Sequence, residues 1–425
     1  MIVNLEMLRR AKNFTNYYLR YNPYFKQELK KVLRQKEWDS CKVQHCQNEA
    51  FLSVLHQAVE RSPFYQKLYA DYGVSVQSIK SISDIANLPI ITKKEVRDHL
   101  ESIYIGNPLI KTKGHTSGTS GTPLIVYRDY WSTIKEGAYT WAQRALFGYE
   151  PGMKTISLRG ILDRRQMKQN DPHANCLYLS SFNLREENAD WYCQQIQQFK
   201  PHAIVAYPSS VEILANFFLN RGLTVNVPLI FTSSEQVYPH QRTKIEAVFN
   251  ARIVDWYGNA ERSIALEERK DGQYYELPLY SVNEYEEDRT ITTGLASTSF
   301  PLIRYQVDDT IIPRMNSKNY QIEAIVGRHD DVLLLPDGTK IGRIGATFSD
   351  IDGLELAQIH QQHQERFSIN LVVNDEFCRK SLEMIKARLR NLAGNNLQYD
   401  IAYVQEGDII RTEAGKFKLV ISDLF

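Results

Sequence analysis

Three features of the sequence predict an α/β protein in two parts. Short apolar runs alternate with helical stretches across the middle of the chain, the composition shifts near residue 326, and a compact β-α-β pattern follows that shift. The larger part, residues 1–325, is expected to carry a largely parallel sheet covered by helices. The smaller part, residues 326–425, reads as an α+β unit. At 425 residues the chain is too long for one hydrophobic core, which agrees with such a division.

Residues 1–45 open the larger part as a basic helical extension. Arg9, Arg10, Lys12, Arg20, Lys26, Lys30, Lys31, Arg34 and Lys36 interleave with Leu, Tyr and Phe, a solvated face that could also rest weakly on an anionic membrane surface. Helical pattern continues through FLSVLHQAVERSPFYQKLYADYG and stops in the turn-rich DIANLPIITKKE. The runs KTISLRG, AIVAYP, VPLIFTSS and RIVDWYG follow as buried strands. In the smaller part FSINLVV and LQYDIAYV read as strands. Between them SLEMIKARLRNLAG sets Leu382, Ile385, Leu389 and Leu392 on one helical stripe.

Charge removes one class of partner. Lys+Arg 51 against Asp+Glu 50 leaves a formal +1, so no whole-chain field favours nucleic acid and small molecules or proteins are the expected partners. The five cysteines, Cys41, Cys46, Cys176, Cys193 and Cys378, form no CxxC pair, which argues against a disulfide framework or zinc knuckle and for a reducing cytoplasm. No apolar run reaches the roughly 18 residues of a membrane span. DPHANC, with Asp171, His173 and Cys176, lacks ligand spacing and reads as a solvated loop, and His115 has no ligand partner at metal spacing.

The chemistry is concentrated in a few short segments. Thr116-Ser117-Gly118-Thr119-Ser120-Gly121-Thr122-Pro123 mixes glycines, which let backbone N–H groups turn inward, with hydroxyls that donate further hydrogen bonds, as a phosphate-binding loop requires. It lacks the GxxxxGK[ST] lysine, so a Walker-type nucleotidase is not supported. Downstream stand DWYGNAE (255–261), FPLIRYQVDD (300–309), VGRHDD (326–331) and RTEAGKFK (411–418).

In this order and at this spacing the segments resemble the adenylate-forming superfamily, most closely the phenylacetate–CoA ligase family and its capsular-polysaccharide-associated branch. The likeness runs from about residue 50 to 425. It implies a mobile C-terminal lid, ATP and Mg²⁺ as cofactors, and a small carboxylic acid as substrate. For the acceptor it implies coenzyme A or an amino-sugar or other saccharide. By that resemblance Thr116, Ser117, Gly118, Thr119, Ser120 and Gly121 cradle the β- and γ-phosphates, and Glu261 binds the magnesium, a hard oxygen for a hard cation. Asp309 accepts the ribose hydroxyls with Arg328 in support. Tyr257, with Gly258 beside it, lies by the adenine, and Ser234 and Glu235 line the base. Asp330 is the hinge of the lid, and Lys416 is the catalytic lysine it delivers.

Two positions depart from the family pattern. Ala260 stands where a Thr or Ser precedes the magnesium glutamate, removing one hydrogen bond to phosphate unless Asn259 or water replaces it. Val307-Asp308-Asp309 replaces Thr-Gly-Asp, and if position 308 required positive φ the backbone there would be strained. The segments therefore leave three readings: an aryl–CoA ligase, a ligase decorating a saccharide through an amide or ester, and a non-catalytic nucleotide-binding descendant.

Overall fold

The computed structural model describes residues 14–15, 17–115, 124–162, 165–181, 183–235, 237, 239–286, 289–314, 320–326, 333–334, 340–341, 344–348, 351–364, 366–393, 398–405, 408–410 and 419–424. Two compact units divide the chain: residues 1–112 with 127–325, and residues 113–126 with 326–425.

Helices of the first unit begin at polar caps. α1 (Pro23–Gln35) starts on Asn22, whose side chain accepts from the Phe25 N–H, with proline at the first position. α2 (Ser40–Arg61) starts on Asp39, and α3 (Pro63–Asp71) on Ser62. α4 (Tyr130–Leu146) is capped by Asp129, which accepts from the Ser132 N–H at 2.6 Å. Then come α5 (Ala189–Phe199), α6 (Pro208–Asn220) and α7 (Pro239–Phe249).

The strands β1 (Thr112–His115) and β2 (Ile125–Arg128) flank residues 116–123 and pair as a small sheet. The main sheet is built from β3 (Thr155–Leu158), β4 (Lys168–Asp171), β5 (Cys176–Leu179), β6 (Ala203–Ala206), β7 (Leu229–Ser233), β8 (Arg252–Gly258), β9 (Ala265–Glu268) and β10 (Tyr274–Glu276). A separate three-stranded sheet holds β11 (Ser281–Tyr285), β12 (Thr290–Gly294) and β13 (Tyr305–Val307), in that order. β14 (Thr310–Pro313) and β15 (Gln321–Val326) return to the main sheet, whose order is β14-β15-β10-β9-β8-β7-β6-β3-β5-β4. Its centre, β5-β3-β6-β7-β8, is parallel, and β4 and β9 join antiparallel at the two sides.

Burial on both faces explains the unbroken apolar runs of the central strands. Ile204, Ile230 and Ile253 point to one side, among Val211, Leu214, Phe218, Ile245 and Phe249 of α6 and α7. Ala203, Val205, Phe231 and Val254 point to the other, among Phe25 and Val32 of α1 and Ile134, Tyr139 and Trp141 of α4.

In the second unit, β16 (Leu333–Leu334) pairs with β17 (Lys340–Ile341). A four-stranded sheet joins β18 (Leu354–Gln361), β19 (Arg366–Val373), β20 (Gln398–Tyr403) and β21 (Val420–Ser422) in the order β20-β19-β18-β21. α8 (Arg379–Ala393) buries Ile385 and Leu389 against Ile359, Phe367 and Ile369, as its stripe predicts. No helix among the described residues is long and apolar enough to cross a membrane.

Two expectations need correction. DPHANC is no solvated loop: Asp171 and Cys176 are buried, and Asp171 accepts the backbone N–H groups of His173 and Ala174 across the β4–β5 turn. Among the described residues no group of three or more His, Cys, Asp or Glu could hold a metal ion. Lys36 also leaves the solvated basic face, donating to both oxygens of Glu267, a side chain with no exposed surface, at 2.6 and 2.5 Å.

Candidate functional site

The site gathers where β8 ends. Gly258 is exposed, and a Cβ there would come within 3.1 Å of the Trp256 indole nitrogen, close enough that the ring would have to give by a few tenths of an ångström. Asn259 then shapes the turn. Its side-chain oxygen accepts the Ser263 N–H at 3.0 Å and its amide donates to the Ser263 hydroxyl at 2.7 Å. These bonds occupy the Asn259 oxygen and one of its two amide N–H groups.

Glu261 follows, half-buried, and its Oε1 accepts from the Tyr305 hydroxyl at 2.9 Å. Burial raises its pKa. The Lys93 charge, a backbone N–H and the Tyr305 hydrogen bond oppose that rise, while Asp308 adds to it. Tyr257 donates to Asp309 Oδ2 at 2.9 Å, and burial beside that carboxylate pushes the phenol pKa well up.

Lys93 reaches this place through a backbone splice. Ile91 bridges Tyr305 in parallel, its N–H donating to the Arg304 carbonyl and its carbonyl accepting from Gln306 N–H. The lysine then pairs with Asp308 at 2.8 Å. Asp308 is absent from the residues with positive φ, so the expected strain at 308 does not exist. The left-handed residue of this segment is Arg304, at φ +50°, whose guanidinium holds Glu284 at 2.8 Å and the Leu88 carbonyl at 2.5 Å. The two adjacent aspartates thus have separate duties, Asp308 to Lys93 and Asp309 to Tyr257.

Arg128 is a second cation that the motifs did not reveal. It ends β2, just beyond residues 116–123, and donates to the Ala260 carbonyl. Its Nε is buried without a hydrogen-bond partner. Burial, and then Arg262, lower its pKa to about 10, so it stays charged at neutral pH. The signal available in the sequence was its place after the hydroxyl-rich loop.

At the neighbouring strand end, Ser234 takes φ +73°, and Ser233 accepts from Arg159 at 2.7 Å. Glu235 continues this turn and is half-buried. Thr116, Ser117, Gly118, Thr119, Ser120, Gly121, Arg328, Asp330 and Lys416 lie outside the described residues.

Beyond the carboxyl end of β8 the carboxylates Glu261, Asp308 and Asp309 thus stand with the cations Lys93 and Arg128, a set that suits a small anionic ligand at the strand ends of a parallel sheet. Known proteins agree with that reading. Residues 333–423 match the family described as the CapK C-terminal domain. Protein CapK of Staphylococcus aureus is 24% identical over 433 residues, covering 95% of this chain and 94% of its own. The phenylacetate-coenzyme A ligase of Aromatoleum evansii is 26% identical over 316 residues, 67% of this chain and 69% of its own, and that of Thermus thermophilus is 22% identical over 321 residues, 69% and 72%. Among solved structures, 2-hydroxyisobutyryl-CoA ligase in complex with 2-HIB-AMP and CoA, in the thioesterification state, superposes with a TM-score of 0.60 at 18% identity, covering 91% of this chain and 90% of that one. In its postadenylation state the same enzyme gives 0.57.

Fold and relatives together define an adenylate-forming ligase. Within that class the chain carries a CapK C-terminal domain over residues 333–423, is similar to Protein CapK along nearly its whole length, and is similar to phenylacetate-coenzyme A ligases over about two thirds of it.

Proposed function

We propose that the protein activates a small carboxylic acid with ATP and then passes the acyl group to an acceptor. A carboxylate oxygen attacks the α-phosphorus, the bond from that phosphorus to the bridging oxygen breaks, and pyrophosphate leaves. The acceptor's thiol, amine or hydroxyl then attacks the acyl carbon and AMP departs. The observation that carries the reading is the pair Tyr257–Asp309 and Glu261–Tyr305 at one strand end, flanked by Lys93 and Arg128.

Bringing two anions together requires charge neutralisation and positioning. Asp309, already oriented by Tyr257, suits two ribose hydroxyls, because one carboxylate offers two oxygens to two donors. Glu261 fits magnesium, which takes one or two carboxylates and completes its shell with phosphate and water. Bound there, the metal would neutralise phosphate charge. Arg128, with an N–H still to satisfy beside Ala260, offsets the missing hydroxyl of the family pattern. Residues 116–121 would cradle the β- and γ-phosphates. The part from 326 onward would act as a lid hinged at Asp330, with Arg328 supporting the ribose and Lys416 bridging the attacking carboxylate and α-phosphate. The resemblance of the motifs to the capsular-polysaccharide-associated branch favours a saccharide or lipid-linked sugar acceptor, and the matched CoA ligases favour coenzyme A.

Exchange of labelled pyrophosphate into ATP across a panel of carboxylic acids tests this. Acid-dependent exchange is expected, falling about 10²- to 10³-fold in Lys416→Ala with ATP affinity nearly unchanged. Exchange with no acid would overturn the reading. AMP release on adding coenzyme A or an amino-sugar then separates the two acceptors.

A further inference from the structure

One corner of the first unit gathers apolar side chains at its surface. The turn Pro108–Ile110 is held by the Asn107 side chain, which accepts the Leu109 N–H at 2.9 Å. It presents Leu109 90% exposed, with Ile110 beside it, and Leu19 and Trp131 are each about half exposed. Leu19, Ile110, Tyr130 and Trp131 line one open hollow of about 560 Å³. Its walls are tied together: the Tyr130 hydroxyl donates to the Leu19 carbonyl at 2.6 Å, and the Trp131 ring lies 5.1 Å from that of Tyr130 and 4.8 Å from that of Tyr24. Single apolar residues on a surface are ordinary, whereas a contiguous group marks an interaction site.

Charge selects the occupant. Residues 1–45 hold ten Lys and Arg against four Asp and Glu in a chain whose formal sum is +1, so the remainder is net acidic. α1 starts beside the hollow, at Tyr24, and Lys26, Lys30, Lys31 and Arg34 are exposed along it, while its one carboxylate, Glu28, is half-buried. α1 and α4 cover the same face of the main sheet, so the basic side of α1 and Trp131 at the start of α4 look outward on one side of this unit. Carboxylates at the rim are engaged: Asp129 caps α4, and Glu101 holds Lys111 at 2.8 Å. A second copy meeting this side through its own equivalent would set like charges against each other. An anionic bilayer fits all the parts, since apolar tips enter its headgroup layer, Trp and Tyr rest at that level, and Lys and Arg meet the lipid phosphates.

We propose that this side of the first unit docks on the surface of an anionic membrane, with Leu19, Leu109, Ile110 and Trp131 entering the headgroup layer and Lys26, Lys30, Lys31 and Arg34 lying against it. Thr133, on the wall of the same hollow, accepts from Arg262 at 3.1 Å, and Arg262 directly follows Glu261. The docked surface therefore adjoins the candidate site. Membrane docking stands independently of the ligase reading. With that reading, the acceptor would be one carried on a lipid, which reaches the site without leaving the bilayer.

Co-sedimentation of the full chain with vesicles tests this. Vesicles of phosphatidylcholine with about one third phosphatidylglycerol should bind it at least about tenfold more tightly than phosphatidylcholine alone, an advantage that fades between about 0.1 and 0.5 M salt. Lys26→Gln, Lys30→Gln, Lys31→Gln and Arg34→Gln together should weaken binding about 100-fold or more, at roughly fivefold for each cation. Leu109→Asp should weaken it about tenfold. Leu109 is so exposed that this variant should melt as the parent does, which keeps the test decisive should the fourfold variant fail to fold. No binding to the anionic vesicles, equal binding to both kinds, or binding that Leu109→Asp leaves unchanged overturns the docking surface. A dimer that Leu109→Asp dissolves, without vesicle binding, assigns the face to a second copy instead. Pyrophosphate exchange from a water-soluble acid should be the same in parent and Leu109→Asp protein, so failure of docking and failure of the ligase reading are seen separately.

Discussion

The two faces of the main sheet are built from different materials. Beneath α5, α6 and α7 the packing is largely hydrocarbon, with the aliphatic Ile204, Ile230 and Ile253 of the strands against Leu214, Phe218 and Phe249. Beneath α1 and α4 it is aromatic and threaded with polar groups: Trp141 stacks on Tyr149, Gln143 donates to the Asp255 carbonyl at 2.6 Å, and Arg144 lies between two rings. Hydrocarbon packing is non-directional, whereas each buried polar group must find a partner and so fixes geometry. The first face therefore serves stability, and the second, continuous with the strand ends, serves the site.

The largest expected effect lies on the hydrocarbon face. Phe218, fully buried 5.6 Å from the Phe249 ring, should cost about 3–5 kcal/mol when truncated to alanine, read by denaturant unfolding. The KM for ATP should not move, and a changed KM would break the division. Next is Glu261→Gln, expected to lower adenylation about 10²- to 10³-fold. Its folded pKa is raised, so the ionised form costs stability above the unfolded pKa and that cost fades as pH falls through the folded value. The variant should therefore melt no lower than the parent at neutral pH. The ionised form is the active one, so parent activity should fall on acidification with a midpoint above the ordinary glutamate value, a limb the variant lacks.

Asp309→Ala should weaken ATP binding about 10- to 100-fold, the magnitude of one charged hydrogen bond at roughly 1.5–3 kcal/mol, measured by calorimetry. Asp308→Gly comes last. It breaks a partly exposed pair with Lys93, worth under about 1 kcal/mol, and with no strain at 308 to relieve it should shift ATP affinity by less than fivefold. The reverse ranking of the two aspartates would exchange their duties.

Much of this was legible in the sequence, for identifiable reasons. The central strands were readable because burial on both faces leaves an unbroken apolar run. β4, whose sequence is KQND, carried no such signal, and its place comes only from pairing with β5. Glu261, Tyr257 and Asp309 could be picked out because each sits in a short segment. Lys93 could not, since its position depends on the Ile91–Tyr305 bridge between segments more than 200 residues apart. The strain expected at Asp308 was misplaced for a similar reason. Arg304 is the residue with left-handed backbone, and its side chain reaches both Glu284 and the Leu88 carbonyl, contacts with distant segments that no local pattern records.

The clamp between Lys36 and Glu267 bears on the order in which the molecule can assemble. The two residues are 231 positions apart, so Lys36, just after α1, has no buried partner until that length of chain has followed it. Such a contact closes a very long loop and therefore comes late. Until then Glu267 enters β9, between β8 and β10, without that cation. The Lys36 contact is thus among the later ones to close, and β9, next to the site, is completed by a residue made long before it.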